Sequence, residues 1–282
     1  MPELPEVETV RRGLEGFLVG KRIVRVQVLQ SKLRREVPAT LATDLTRQVV
    51  VRINRRGKYL CWDLSNDLCV VSHLGMSGSF TLYSKETGSS FSPQCITKHD
   101  HLIFHLENNA VVTYNDPRRF GSFDIIHTND LNTFSSLASL GVEPLGNEFS
   151  SCYLYESFRK KSVPVKVVLL DQTIIAGVGN IYASEALWRS GISPKRKTDR
   201  ISEKSIQNLV AAIRSVLQEA IASGGSTLRN YRGVTGSLGY FQHKFNVYER
   251  DKLSCPKEDC EGIIKRIVQG GRSTYYCIKC QK

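Results

Sequence analysis

The chain has 282 residues, 41% of them hydrophobic and 23% charged, enough to bury a core in one large domain or two medium ones. No apolar run reaches the roughly 18 residues that cross a bilayer, and the acidic N-terminus lacks the apolar stretch of a signal peptide, so a soluble intracellular protein is expected. The net charge of +12 is lopsided: residues 1–150 carry 17 Lys and Arg against 16 Asp and Glu, residues 151–282 carry 22 against 11, which is the footprint of a domain that meets a polyanion.

The first eight residues are Met-Pro-Glu-Leu-Pro-Glu-Val-Glu. Removal of Met1 would expose the secondary amine of Pro2 beside the carboxyl group of Glu3. A secondary amine that attacks a sugar C1′ gives a cationic iminium, which is an electron sink, and an adjacent acid can supply a proton. The dipeptide therefore suggests covalent chemistry on a deoxyribose. Behind it, Val7, Val10, Leu14 and Phe17 recur at spacings of three and four, which predicts an amphipathic helix with Pro5 in its first turn and Glu6 and Glu8 at its positive end.

From residue 22 to 127 the pattern is that of strands. Val24, Val26 and Val28 alternate with polar residues, and short runs follow at 49–53, 59–64, 68–74, 79–83, 101–106 and 111–114, the last two flanking an Asn108-Asn109 turn. Many short strands joined by tight turns predict an antiparallel sandwich or barrel. Lys58 follows Arg55-Arg56-Gly57 at a strand start, where it could move protons, grip a phosphate or simply charge a strand edge. His73-Leu-Gly-Met-Ser-Gly78 places Met76 in a glycine-bounded turn. Asp116-Pro-Arg-Arg-Phe120 sets Arg118, Arg119 and Phe120 on a loop, suited to wedging a base stack or, as readily, to an ordinary turn over a core phenylalanine. His99 and His101 alternate on one strand face; with no third ligand in view, phosphate contact or burial is expected there rather than a metal.

After about residue 130 the periodicity becomes helical. Residues 165–176 and 181–189 read as two helices joined by Gly177-Val178-Gly179-Asn180. Such a turn offers backbone N–H groups to a phosphate. A lone Gly-x-Gly is a weak signal, strengthened here by the preceding Arg159, Lys160, Lys161 and Lys166. Ile206, Leu209, Val210, Ile213, Val216, Leu217 and Ile221 line one face of a long helix, with Ser202 as its N-cap and Gly224-Gly225 as its stop. Residues 225–245 are rich in Gly, Ser and Tyr and read as a mobile loop.

Of eight cysteines, Cys61, Cys69, Cys95 and Cys152 are scattered, three of them in or beside strand-like runs as small buried hydrophobes. The others form Cys255-x4-Cys260-x16-Cys277-x2-Cys280. Two cysteine knuckles flanking a short hairpin supply four thiolates for a tetrahedral zinc with no open position, hence a structural one. Two disulfides are the alternative, disfavoured in a reducing compartment. Little apolar content surrounds the knuckles, so the metal would supply most of the module's folding free energy. Arg272, after Gly270-Gly271, falls at the hairpin tip, placed for a phosphate or for solvent.

Taken together these residues resemble the bacterial formamidopyrimidine-DNA glycosylases, which are 8-oxoguanine glycosylases and AP lyases. The resemblance spans the chain: the opening nonapeptide, Arg-Arg-Gly-Lys-Tyr-Leu around Lys58, His-Leu-Gly-Met-Ser-Gly from His73, Lys-His-Asp-His at 98–101, Tyr-Asn-Asp-Pro-Arg-Arg-Phe-Gly at 114–121, the Gly-Val-Gly-Asn turn, Gly-Tyr-Phe at 239–241 and the cysteine cluster. It implies an α+β fold: an N-terminal helix and antiparallel β-sandwich (1–130), a helix-two-turns-helix domain with a base-capping loop (131–245) and a zinc-finger hairpin (246–282), with DNA held between the domains. By the same resemblance Pro2 is the Schiff-base nucleophile, Glu3 the acid that opens the deoxyribose, and Lys58 and Arg272 the proton donors for β- and δ-elimination. His99, Arg118 and Lys161 are DNA contacts and Asn180 belongs to the phosphate-binding turn. Met76, Arg118 and Phe120 fill the void left by the extruded base. The loop after Arg229 caps that base. One structural zinc is the implied cofactor, duplex DNA with oxidised purines or abasic sites the partner, and a monomer in the bacterial cytoplasm, at the nucleoid, the working form. The family's first knuckle is commonly shorter than Cys255-x4-Cys260. A related endonuclease VIII-like enzyme for oxidised pyrimidines usually has Gly where Leu4 stands. A non-catalytic zinc-dependent DNA-binding protein has no need of an N-terminal secondary amine.

Overall fold

The computed structural model describes residues 1–226 and 239–282. These fall into two compact units, Met1–Ala138 with Ser223–Tyr240, and Ser139–Ala222 with Phe241–Lys282.

In the first unit, α1 (Leu4–Leu18) forms where the spacing places it and buries Leu4, Val7, Val10, Leu14 and Leu18 along one face. It is followed by β1 (Ile23–Val28), α2 (Leu41–Leu45), β2 (Val50–Arg56), β3 (Tyr59–Leu64), β4 (Leu68–His73), β5 (Ser79–Tyr83), β6 (Asp100–Leu106), β7 (Val111–Asn115), β8 (Ser122–His127) and α3 (Ser135–Ala138). All the pairings among these strands are antiparallel. They build two four-stranded sheets, ordered β1-β6-β7-β5 and β2-β3-β4-β8. The expected sandwich is thus present. Aromatic rings bridge the two sheets within a mainly aliphatic core: Trp62 of one sheet lies 5.4 Å from Phe80 and 5.6 Å from Phe104 of the other. Burial of each such side chain contributes roughly 1.5–3 kcal/mol. Asn109 adopts φ 61° in the β6–β7 turn, the left-handed conformation that Asn accepts more readily than most residues.

The second unit holds α4 (Ser151–Arg159), α5 (Val165–Leu169), α6 (Asn180–Arg189), α7 (Glu203–Ala222) and a hairpin of β9 (Ile264–Gln269) and β10 (Arg272–Cys277). The Ser202 hydroxyl accepts the Ser205 N–H, as an N-cap should, and Gly224 and Gly225 end α7 with φ of 72° and 77°. The helix expected over 165–176 is cut to one short turn, α5. Asp171 accepts both the N–H and the hydroxyl of Thr173, at 3.0 and 2.6 Å, and the Gln172 side chain bonds Leu170 O, Val178 O and Gly177 N. Local side-chain bonds of this kind compete with the helical ladder. Ile174 and Ile175 are buried all the same, which is why their apolar pattern reads as helix. Of the scattered cysteines Cys61 and Cys69 are buried as expected, whereas Cys95 is half-buried in a one-turn helix and Cys152 is exposed. No helix among the described residues is long and apolar enough to cross a membrane.

Candidate functional site

Pro2 is buried, and Glu3, the N-cap of α1, is 3% exposed. Glu6, also buried, holds this end of the chain: its Oε2 accepts the Glu3 N–H at 2.9 Å and its Oε1 the Ser226 N–H at 2.8 Å. One carboxyl group thereby ties the helix head to the residue that precedes 227–238. Gly225 packs on Glu6 at φ +77°, a conformation open to glycine. The base-capping role expected after Arg229 lies outside the described residues.

Glu8 fixes α1 to the sheet beneath. It accepts from Arg55 Nε at 3.1 Å and from Arg11 and Arg12; burial pushes its pKa up, but the three guanidinium groups outweigh burial and hold it below the usual range. Arg55 also donates to Gly57 O at 2.9 Å, closing the turn (Gly57 φ 56°) that delivers Lys58 to a buried position. In the β3–β4 register Tyr59 faces His73, with rings 4.8 Å apart. His73 Nδ1 accepts the Gly75 N–H at 2.9 Å. Burial first, then the charges of Lys58, Arg34 and Arg35, pulls the His73 pKa down to about 4. The sequence carries no signal for His73 beyond its place at the head of the Met76 motif.

The connections β4–β5 (74–78) and β7–β8 (116–121) both cross from one sheet to the other. The register pairs His73 with Ser122 and Ser79 with Asn115, so the two loops emerge at the same end of the sandwich. On their tips Met76 is 41% and Phe120 44% exposed, and the Arg118 guanidinium stacks 4.9 Å from the Phe120 ring centre. Phe120 is therefore no core residue. His99 sits half-buried in the turn before β6 and, with Gln30, Lys98, His101, Pro117 and Arg119, lines a cleft of about 230 Å³. His101 is buried, its Nε2 2.8 Å from Asp116 O.

In the second unit Lys166 is fully buried and donates to Asn180 O at 3.2 Å and to Ser184 Oγ at 2.5 Å, which anchors the first turn of α6. Asn180 Nδ2 in turn donates to Ser273 O at 2.8 Å, so the helical turn and the hairpin residue next to Arg272 are joined. Arg272 is exposed at the hairpin tip, opposite Gln269, where Gly270 and Gly271 both have positive φ. Lys161 pairs with Asp171 at 2.9 Å and stays 40% exposed.

The sulfurs of Cys255, Cys260, Cys277 and Cys280 lie within 4.8 Å of one another and form the only such potential metal cluster among the described residues. The Cys255–Cys280 and Cys260–Cys277 separations are 3.8 and 3.7 Å. Sulfurs about 2.3 Å from a tetrahedral zinc stand about 3.8 Å apart, far beyond a disulfide bond. A Cβ at Gly262 would collide with Cys277 Sγ, so only glycine fits beside the sulfur cluster at this position. The Trp188 indole N–H points at Cys255 Sγ from 3.3 Å.

Four thiolates on a hairpin joined to a glycine-bounded helical turn, in the basic half of the chain, define a zinc-finger protein that engages nucleic acid. Comparison with known families gives three matches in order: the formamidopyrimidine-DNA glycosylase N-terminal domain over residues 1–123, the H2TH domain of that enzyme over 140–232, and the zinc finger found in FPG and IleRS over 255–282. Proteins named formamidopyrimidine-DNA glycosylase from Roseobacter denitrificans and Ruegeria pomeroyi are 49% and 47% identical, each over 283 residues covering 100% of both chains. Among solved structures, a mutant Lactococcus lactis FPG with Fapy-dG-containing DNA matches at TM-score 0.89 and 35% identity over 100% of both chains, and the Lactococcus lactis Fpg with an abasic-site DNA at 0.88 and 35% over 99%. The chain belongs to the formamidopyrimidine-DNA glycosylase family.

Proposed function

We propose that this chain is a bifunctional enzyme of base-excision repair that removes oxidised purines (8-oxoguanine and formamidopyrimidines) from duplex DNA and then cuts the strand as an AP lyase. The observation that carries the reading is the build of the N-terminus. Pro2 and Glu3 are buried at the head of α1, and Glu6 pins that head in place. Full-length relatives that bear the glycosylase name support it.

The chemistry follows from the residues. With Met1 removed, the Pro2 nitrogen attacks C1′ of the lesion nucleotide, and the C1′–base bond breaks, its electrons leaving with the base; the proton that the Pro2 nitrogen loses balances the one the departing base takes up. Glu3 gives its proton to O4′ as the sugar ring opens, leaving a C1′=N⁺ iminium. That cation acidifies C2′–H; loss of this proton expels the 3′ phosphate, and a second elimination expels the 5′ phosphate. Lys58 serves the first elimination and Arg272 the second as proton donors. Water then hydrolyses the remaining iminium and frees Pro2, leaving a one-nucleotide gap with phosphates at both ends.

Binding is divided among the elements. His99, Arg118, Lys161 and the Asn180 turn contact DNA and give it a salt-dependent affinity. Met76, Arg118 and Phe120 enter the stack where the damaged nucleotide leaves it, at an unstacking cost of a few kcal/mol. The zinc thiolates hold the hairpin that presents Arg272. In this reading 1–130 is the catalytic domain, 131–245 the helix-two-turns-helix domain and 246–282 the zinc finger, and the enzyme works as a cytoplasmic monomer at the nucleoid.

Borohydride, which reduces an iminium to a stable amine, tests the nucleophile. The protein is expected to cross-link to duplexes carrying 8-oxoguanine opposite cytosine or an abasic site. Pro2→Gly, or retention of Met1, is expected to abolish the adduct, and Glu3→Gln to slow iminium trapping and strand cleavage by roughly 10²–10⁴-fold. Undiminished trapping by a protein that retains Met1 would overturn the assignment of Pro2. Cleavage of thymine glycol in preference to 8-oxoguanine would favour the pyrimidine-specific relative.

A further inference from the structure

Asp116, the first residue of the β7–β8 loop, is fully buried, and its hydrogen bonds reach both its own loop and the β4–β5 loop. Oδ1 accepts the hydroxyl of Ser77, next to Met76, at 2.5 Å. Oδ2 accepts the Gly121 N–H, next to Phe120, at 2.8 Å and the Tyr114 hydroxyl at 3.3 Å. Ser77 closes the circuit by accepting the Arg118 N–H at 3.2 Å. The Asp116 backbone is held as well, its N–H by His99 O at 2.9 Å and its O by Arg119 N–H and His101 Nε2 at 3.1 and 2.8 Å.

Shape reinforces the same junction. A Cβ at Gly75 (φ +63°) would strike the Phe120 backbone, and one at Gly78 or Gly121 would strike the Tyr114 hydroxyl. Tyr114 is itself locked in the core against Phe80 and Phe123 at 5.2 and 4.8 Å. Arg119 adopts φ 55°, a conformation that costs a non-glycine residue and persists only where its surroundings hold it.

We propose that Asp116 is a positioning residue that locks the Met76 loop and the Arg118–Phe120 loop into one preset wedge, so that the three side chains enter the duplex as a unit. The inference rests on the reading that these side chains fill the vacated position. The physical gain is entropic: loops ordered in advance do not lose their backbone freedom at the moment of binding. Asp116 thereby acts on unstacking and on recognition of the opposite base, not on the bonds that break.

The test compares duplex 8-oxoguanine opposite cytosine with a single-stranded abasic site, which has no partner strand and no void to fill. Asp116→Asn offers an amide N–H₂ where one of the donors must be accepted. It is expected to lower the ratio of kcat/KM on the first substrate to that on the second by about tenfold or more. It should also slow the rise of 2-aminopurine fluorescence placed beside the lesion and flatten the preference for cytosine opposite it. Adding Asp116→Asn to a Met76→Ala, Arg118→Ala, Phe120→Ala triple variant is expected to cause no further loss. Equal loss on both substrates, or a loss that multiplies with that of the triple variant, would overturn the proposal. A triple variant that unstacks DNA at the normal rate would instead overturn the wedge assignment, and the inference with it, whatever Asp116→Asn does. If Asp116→Asn fails to fold, Ser77→Ala should reproduce the phenotype and Ser77→Thr, which keeps the hydroxyl, should restore the ratio; a normal ratio in Ser77→Ala would overturn the proposal.

Discussion

His73 makes the first unit sensitive to acid. The unfolded chain binds a proton on this imidazole near pH 6.5, but the folded one binds it only near pH 4. Between those values the unfolded state holds more protons, so stability falls as pH falls. The loss from this one group is about 2 kcal/mol by pH 5. His73→Gln keeps an acceptor for the Gly75 N–H and does not titrate there. The gap between the urea-unfolding free energies of wild type and variant is expected to change by about 2 kcal/mol from pH 7 to pH 5, and parallel curves would contradict the account. At this scale the sequence shows the groups with unusual chemistry, such as Pro2, Glu3 and the four thiolates, because residue type and spacing announce them. It does not show the buried carboxyl groups that hold them. Glu6 and Asp116 look like ordinary acids until folding brings their donors close, and the Ser226 N–H that Glu6 accepts lies 220 residues away.

Among the elements, α6 and the segment leading to the hairpin depend on Glu185. It is fully buried, and its two oxygens accept the backbone N–H groups of Asn246, Val247 and Tyr248 at 2.9–3.1 Å, with the Asn246 side chain adding another bond. Glu185→Ala would strip three backbone N–H groups and the Asn246 side chain of this acceptor, at an expected cost of about 3–5 kcal/mol. Glu185→Gln keeps one oxygen and is expected to cost less. Guanidinium unfolding of the two variants checks the order, and equal losses would contradict the role given to the retained oxygen. The elements themselves were mostly legible, since period-two and period-3.6 patterns persist wherever one face is buried. The exception is instructive. Residues 171–176 keep apolar spacing because Ile174 and Ile175 are buried in a turn, and burial is all that an apolar pattern reports. Asp171 and Gln172, whose side chains close that turn, carried the missing signal.

Across the molecule each compact unit has its own hydrophobic cluster, but the hairpin module has little beyond Val247, Ile264 and its cysteines. Chelation of zinc is therefore expected to unfold that module first and to abolish duplex binding, while the sandwich melts at its usual temperature; a single concerted loss would contradict this. Order along the chain foretold the sandwich, helices and finger, but not that Ser223–Tyr240 joins the first unit, because composition carries no trace of which body a returning segment rejoins. The two tryptophans of the chain are divided between these bodies. Trp62 is sealed among phenylalanines, whereas Trp188 points its indole N–H at a zinc-ligand sulfur. The protein therefore carries a built-in optical gauge of its own metal occupancy: in a Trp62→Phe background the sole remaining indole donates its hydrogen bond to a sulfur of the zinc site, and its brightness should track loading without any added dye.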